Sequence, residues 1–125
     1  MTPSALDLTI CVVLYRSAEV SRRFARELAT SLAGFSGWEI RFYDNSPTDE
    51  LSSLAAFGPY EHDPRNPGFS FANNQMILAA RYPNIALVNP DVFGFDNGFW
   101  ARLAQGAIGR PEVRFVKLLN EDGTH

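Results

Sequence analysis

The chain has 125 residues, enough for one domain spanning 1–125 that buries about two-thirds of the surface its unfolded form exposes. With 46% hydrophobic and 20% charged residues and a net charge of −3, it is not a disordered chain, and it lacks the long basic face that nucleic acid requires. Cys11 stands alone and the apolar run 8–15 is too short to span a membrane and has no basic flank, so the expectation is a cytoplasmic protein without a membrane span.

Leu8 to Tyr15 is a continuous run rich in β-branched residues, as expected of a strand covered on both faces. Ser17 offers a helix cap, and Val20, Phe24, Leu28 and Leu32 recur every fourth residue up to Gly34, which predicts an amphipathic helix. Trp38 to Tyr43 reads as a second strand, "DNSPTD" (44–49) as a turn, Leu51 to Phe57 as a short helix, and Tyr60 to His62 as a third strand. "DPRNPGFS" (63–70) is a loop by its prolines and glycine. Ser70 can cap a helix burying Ala72, Met76, Ala79 and Ala80, with Phe69 and Phe71 read as core. Ile85 to Val88 is a fourth strand, Asp96 or Asn97 opens another helix, and Val113 to Leu119 is a fifth strand before the turn "NEDG".

Strand and helix alternate, which demands crossover connections and a Rossmann-like, mainly parallel sheet with helices on both faces. Ligands of such sheets bind beyond the carboxyl ends of the strands. The first turn, "LYRSAE", has no glycine, so neither a dinucleotide-binding turn nor a P-loop is present. A bound diphosphate would need another partner, such as a divalent metal on a carboxylate. Asp44 reads either as an Asx-turn residue or as an acceptor for a base N–H or a ribose hydroxyl. Asp91, behind Pro90, reads either as a cap of the next helix or as a hard oxygen ligand for Mg²⁺ or Mn²⁺. Asn73 and Asn74 read either as solvent-facing polarity or as a pair of amides at a positive helix start.

In order along the chain, "TICVVLYR", "YDNSPTD", "NPGFSFANN", "ALVNPDVF" and "VKLLNEDGT" resemble the donor-binding half of family 2 glycosyltransferases, nearest to rhamnosyltransferase-like members with the GT-A fold. The resemblance covers about 8–124. It implies inverting transfer from a UDP- or dTDP-sugar to a glycan or lipid-linked acceptor, as in polysaccharide biosynthesis. Carried over by residue, it makes Asp44 the base acceptor and Leu14, Tyr15 and Arg16 the lining of the base site. Asn66, Gly68, Phe69 and Asn74 become the donor-sugar pocket, and Asp91 the ligand of Mg²⁺ or Mn²⁺. Two positions depart from the pattern: Pro47 stands where the family's turn has a serine, and Met76 where its helix has a glycine.

The family's general base lies beyond the fifth strand, so the resemblance implies a truncated domain whose base is absent. "NEDGT" reads as the ordinary turn rather than as that base. The competing expectations are a non-catalytic nucleotide-binding or scaffold module, and an unrelated phosphoryl-transfer protein. A missing acceptor lobe would leave apolar surface, including Phe93, Phe95, Phe99 and Trp100, to be exposed or paired. The corresponding expectation is a homodimer or association with an absent C-terminal portion.

Overall fold

The computed structural model describes residues 5–106. Four strands, β1 (Ala5–Leu14), β2 (Ser36–Asp44), β3 (Tyr60–His62) and β4 (Asn84–Leu87), form one sheet in the order β3-β2-β1-β4. Every pairing is parallel. Three α-helices connect or follow them: α1 (Ala18–Ser31), α2 (Phe69–Ala79) and α3 (Asn97–Gly106), with a 3-10 segment at Ser52–Ala56. The expected strand 113–119 and the turn after it lie outside the described residues.

Side-chain alternation along β1 builds two layers. Leu8, Ile10, Val12 and Leu14 join Phe24, Leu28, Leu32, Ile40, Phe42, Leu51, Leu54 and Trp100 in one core. Cys11 packs with Tyr43, Ala72 and Met76 in the other. Thus α1 and α3 cover one face and α2 the opposite one, as expected of a doubly covered parallel sheet. Complete burial of a residue such as Phe24 or Leu28 contributes about 1.5–3 kcal/mol, and Phe24→Ala would cost about 3–5 kcal/mol. The turn into β3 needs a residue without a side chain, because a Cβ on Gly58 would lie 1.9 Å from the Ile40 carbonyl oxygen.

On the α2 face a polar clamp fixes the segment leading into β4. Glu39 Oε2 accepts from Thr9 Oγ1 at 2.8 Å, Arg41 Nε at 2.9 Å and the Arg81 N–H at 2.7 Å. Burial alone would raise the Glu39 pKa, but these hydrogen bonds outweigh it and hold the carboxyl below its ordinary value.

Several expectations change in detail. α1 buries Ser21, Phe24, Ala25 and Leu28, while Val20 is exposed, because the seam drifts with the 3.6-residue period instead of keeping to every fourth residue. Ser17 precedes α1 in a left-handed conformation and makes no side-chain cap. α2 starts two residues early, after Gly68, so Ser70 lies inside it and caps nothing. That phase buries Asn73 with Ala72 and Met76 and exposes Ala79, Phe69 and Phe71. The aromatic residues before and within α3 are largely paired within the chain. Trp100 is buried, stacks on Phe95 at 5.4 Å and meets Phe99 edge-on at 4.8 Å. Exposed apolar side chains gather instead around α2 and β4, led by Leu78 at 82% and Phe69 at 54%.

Candidate functional site

The chain passes from β1 to β2 on one side and returns through α2 to β4 on the other, so a topological switch point lies between β1 and β4. The β1–β4 ladder ends at Cys11–Leu87, whereas the β1–β2 ladder runs on to Leu14–Asp44. β1 therefore projects about 10 Å past its partner on that side. The Val88 N–H still donates to the Cys11 carbonyl at 3.0 Å, and the chain then departs. This leaves a step at the carboxyl edge between β1 and β4, beside the turns that follow these two strands.

The turn after β1 is strained. Arg16 and Ser17 both have φ of 55°, which residues with a Cβ seldom adopt. It is held from β2: the Arg16 N–H donates to Ser46 Oγ at 2.6 Å, and the Asn45 N–H donates to the Leu14 carbonyl at 2.8 Å. The backbone groups expected to line a base site are thus partly committed. What the turn offers outward are the exposed Tyr15 ring and the Arg16 guanidinium, which lies 5.3 Å from that ring's centroid.

Asp44 is wholly buried. Its Oδ1 accepts the Ser46 N–H at 3.0 Å, the Asx-turn geometry, and its Oδ2 accepts the Tyr60 hydroxyl. His62 Nε2 lies 2.9 Å from the Ser46 carbonyl oxygen. Ser46 thereby ties three strand ends together. Pro47 has no hydroxyl to offer, and the hydroxyl contact of this turn is made by the neighbouring Ser46. Burial first, and then the hydrogen bond to Asp44, push the Tyr60 hydroxyl pKa well above its ordinary value.

Asn45 faces the opposite side, toward the start of α2. Its Nδ2 reaches the Gly68 carbonyl at 3.4 Å, and its Oδ1 has no partner. Asn73, on the buried face of the second turn of α2, has no partner for either Nδ2 or Oδ1. Asn45 is 3% exposed and Asn73 4%. Helical side chains lean toward the N-terminus, so Asn73 leans toward the end that Asn45 touches. The helix start itself has Gly68 at the cap position with no side-chain cap, leaving its first N–H groups to a ligand or solvent. Buried amides without partners are costly, and a ligand with hydroxyl or carbonyl groups would satisfy them.

Beside them, Asp63 anchors the 63–68 loop. It accepts from Tyr43 Oη at 2.6 Å and from Arg65 through Nε and Nη2, each at 2.8 Å. The Arg65 contacts first, and then Tyr43, hold the Asp63 carboxyl well below its ordinary range, while burial and Asp63 push the Tyr43 hydroxyl up to about 12. Asn66 follows with φ of 50° and, like Phe69 and Asn74, is exposed; Gly68 is half-buried.

Asp91 is exposed in the turn after β4, and Asp96, not Asp91, caps α3, its Oδ1 accepting the Phe99 N–H at 2.7 Å. Phe93 packs edge-on against Phe24 at 6.4 Å and lies 4.4 Å beneath the Arg23 guanidinium, so this turn rests on the N-terminal half of α1. Among the described residues, no group of three or more His, Cys, Asp or Glu side chains converges as a metal cage. One exposed carboxylate fits a Mg²⁺ or Mn²⁺ ion that shares its ligands with a bound diphosphate, and does not fit a resident ion held by protein alone.

The sequence-predicted residues therefore share one sheet edge but divide between its faces. Asp44 lies on the α1 side, Asn66, Gly68, Phe69 and Asn74 lie around the start of α2, and Asp91 lies in the turn after β4. Asn45, Ser46 and Tyr60 are additional candidates that residue patterns did not single out, and Asn73, read as solvent-facing or as one of two amides at the helix start, is buried. The chain matches no known protein family, no curated protein and no solved structure. Among the described residues, no helix is long and apolar enough to cross a membrane.

Proposed function

We propose that the carboxyl edge of this sheet binds a nucleoside diphosphate sugar, of the UDP or dTDP type, and that the chain serves as the donor-binding part of an inverting glycosyltransferase of the GT-A kind. The observation that carries the reading is the pair of buried amides, Asn45 and Asn73, with three unpartnered polar atoms at the start of α2. A polyhydroxylated ligand supplies both donors and acceptors to such groups, which a bare anion or an apolar ligand does not.

In this reading Asp44 selects the base, Tyr15 and Arg16 flank it, and Leu14 supports the turn from below. Asn66, Gly68, Phe69 and Asn74 border the sugar, with Asn45 and Asn73 beneath them. Asp91 would hold Mg²⁺ or Mn²⁺, which when bound offsets the charge of the leaving diphosphate. Transfer forms a bond from the acceptor oxygen to the anomeric carbon, breaks the bond from that carbon to the diphosphate, and sends the acceptor proton to a base. The strain at Arg16 and Ser17 is compatible with a preorganised ligand turn.

Calorimetric titration with UDP, dTDP and ADP, each with and without Mn²⁺, tests the reading. Saturable binding of UDP or dTDP, strengthened by the metal and stronger than for ADP, is expected. Binding accompanied by donor turnover supports the transferase, and binding without turnover assigns a nucleotide-holding module. No binding of any of the three rejects the reading.

A further inference from the structure

Asp44 and Tyr60 carry a consequence for selectivity that rests on the nucleotide-binding reading above. In the β2–β3 ladder Tyr60 lies beside Phe42, and His62 beside Asp44. Positions two apart face the same side, so the Tyr60 ring reaches along the sheet toward the end of β2. There its hydroxyl donates to Asp44 Oδ2 while the Ser46 N–H occupies Oδ1. The carboxylate that would accept a base N–H is closed from solvent, and the half-buried Tyr60 closes it.

The closure is of a kind that can open. Among the described residues β3 is the shortest strand and lies at the edge of the sheet, so movement of Tyr60 breaks no pairing beyond β3. The hydroxyl can leave without stranding a buried charge only if another donor replaces it, because an unpaired buried carboxylate is strongly unfavourable. Water is a poor substitute within so closed a turn, whereas a planar imide presents one N–H beside two carbonyls.

We infer that Tyr60 is a selectivity latch: its hydroxyl holds Asp44 closed and yields to the imide N–H of a uracil or thymine base, not to phosphate groups alone. Tyr60 is thus a positioning residue acting through Asp44. A ligand lacking that N–H pays the opening cost without regaining the hydrogen bond.

The test compares UDP, UDP methylated at N3 of the base, and inorganic pyrophosphate, on the full chain and on Tyr60→Phe, by calorimetry. UDP should bind the wild type at least about tenfold more tightly than its N3-methyl derivative, the ratio that loss of one charge-assisted hydrogen bond implies. Tyr60→Phe removes the competing donor, so UDP affinity should rise about tenfold while pyrophosphate affinity stays unchanged. A folded variant with unchanged or weaker UDP affinity overturns the latch, as does an equal effect on UDP and pyrophosphate.

Should the variant not fold, the wild type decides through its tyrosine ring NMR signals. The Tyr60 signal should move with UDP and stay in place with pyrophosphate, and an unmoved signal at UDP saturation overturns the inference. If the wild type binds no UDP, the nucleotide reading itself fails. If it binds UDP with Tyr60 unmoved, only the latch fails.

Discussion

Replacing Asn73 by leucine should make the ligand-free protein more stable and its ligand binding worse. Leucine has nearly the same branched shape as asparagine, and the side chain shares the buried face of α2 with Ala72 and Met76. The substitution removes two buried polar atoms that have no partner in the chain. Each such group carries a desolvation cost of about 1–3 kcal/mol, and imperfect packing of the new methyl groups reduces what is recovered, so a net gain of about 1–3 kcal/mol is expected. At this chain length that raises the thermal midpoint by about 4–12 °C. Scanning calorimetry of the two proteins measures the gain, and UDP titration measures the accompanying loss, expected to be tenfold or more. A destabilised Asn73→Leu would show that the amide is satisfied in the free protein. A stabilised variant with unaltered UDP affinity would show that the amide is unpaired but faces no ligand. Either result removes the observation on which the proposed site rests.

Asp91→Asn should abolish the dependence of UDP binding on Mn²⁺ while leaving the thermal midpoint within about 1 °C, since the side chain is exposed and no cap depends on it. Asp63→Asn should flatten the acid limb of the stability curve. The native carboxyl titrates below its unfolded value, so its contribution is present above about pH 4 and is lost as pH falls toward the native value. Urea midpoints from pH 6 to pH 2 should therefore fall more steeply for the wild type than for the variant, and parallel curves would contradict this. Cys11 is buried, and burial pushes its thiol up to about 11, so an aromatic disulfide reagent at pH 8 should label it only as fast as the protein unfolds.

The sheet was legible because buried parallel strands are continuous apolar runs, and Leu8 to Leu14 could hardly be anything else. The carboxyl-edge location of candidate residues followed from topology alone, given the alternation of strands and helices. What the sequence hid was phase and reach. Gly68, with φ of 107°, caps α2 two residues before the serine that looked like its cap, and in the observed helix Asn73 turns inward while Asn74 stays outside. The pairing of Tyr60 with Asp44 depends on strand register between residues 16 apart, which local pattern does not encode. Phe69 and Phe71 looked like core by hydrophobicity, yet they flank the helix start on its open side. Conversely, the sequence left open whether the aromatic run before and in α3 is exposed or paired. Ser31, accepting from Trp100 Nε1 at 2.8 Å and offering its carbonyl to Asn97, anchors that run to α1.

The proposed binding mode seats a nucleoside diphosphate at the carboxyl edge of the sheet, with the base near β2 and the sugar near α2. Titration of isotope-labelled protein with UDP and Mg²⁺, followed by amide NMR, addresses it residue by residue. Saturable shifts are expected at Tyr15 to Ser17, Asn45, Ser46, Gly68 to Asn74 and Asp91, with the Asn73 side-chain NH₂ among the largest. Shifts confined to the opposite edge of the sheet, or none at millimolar UDP, would contradict it.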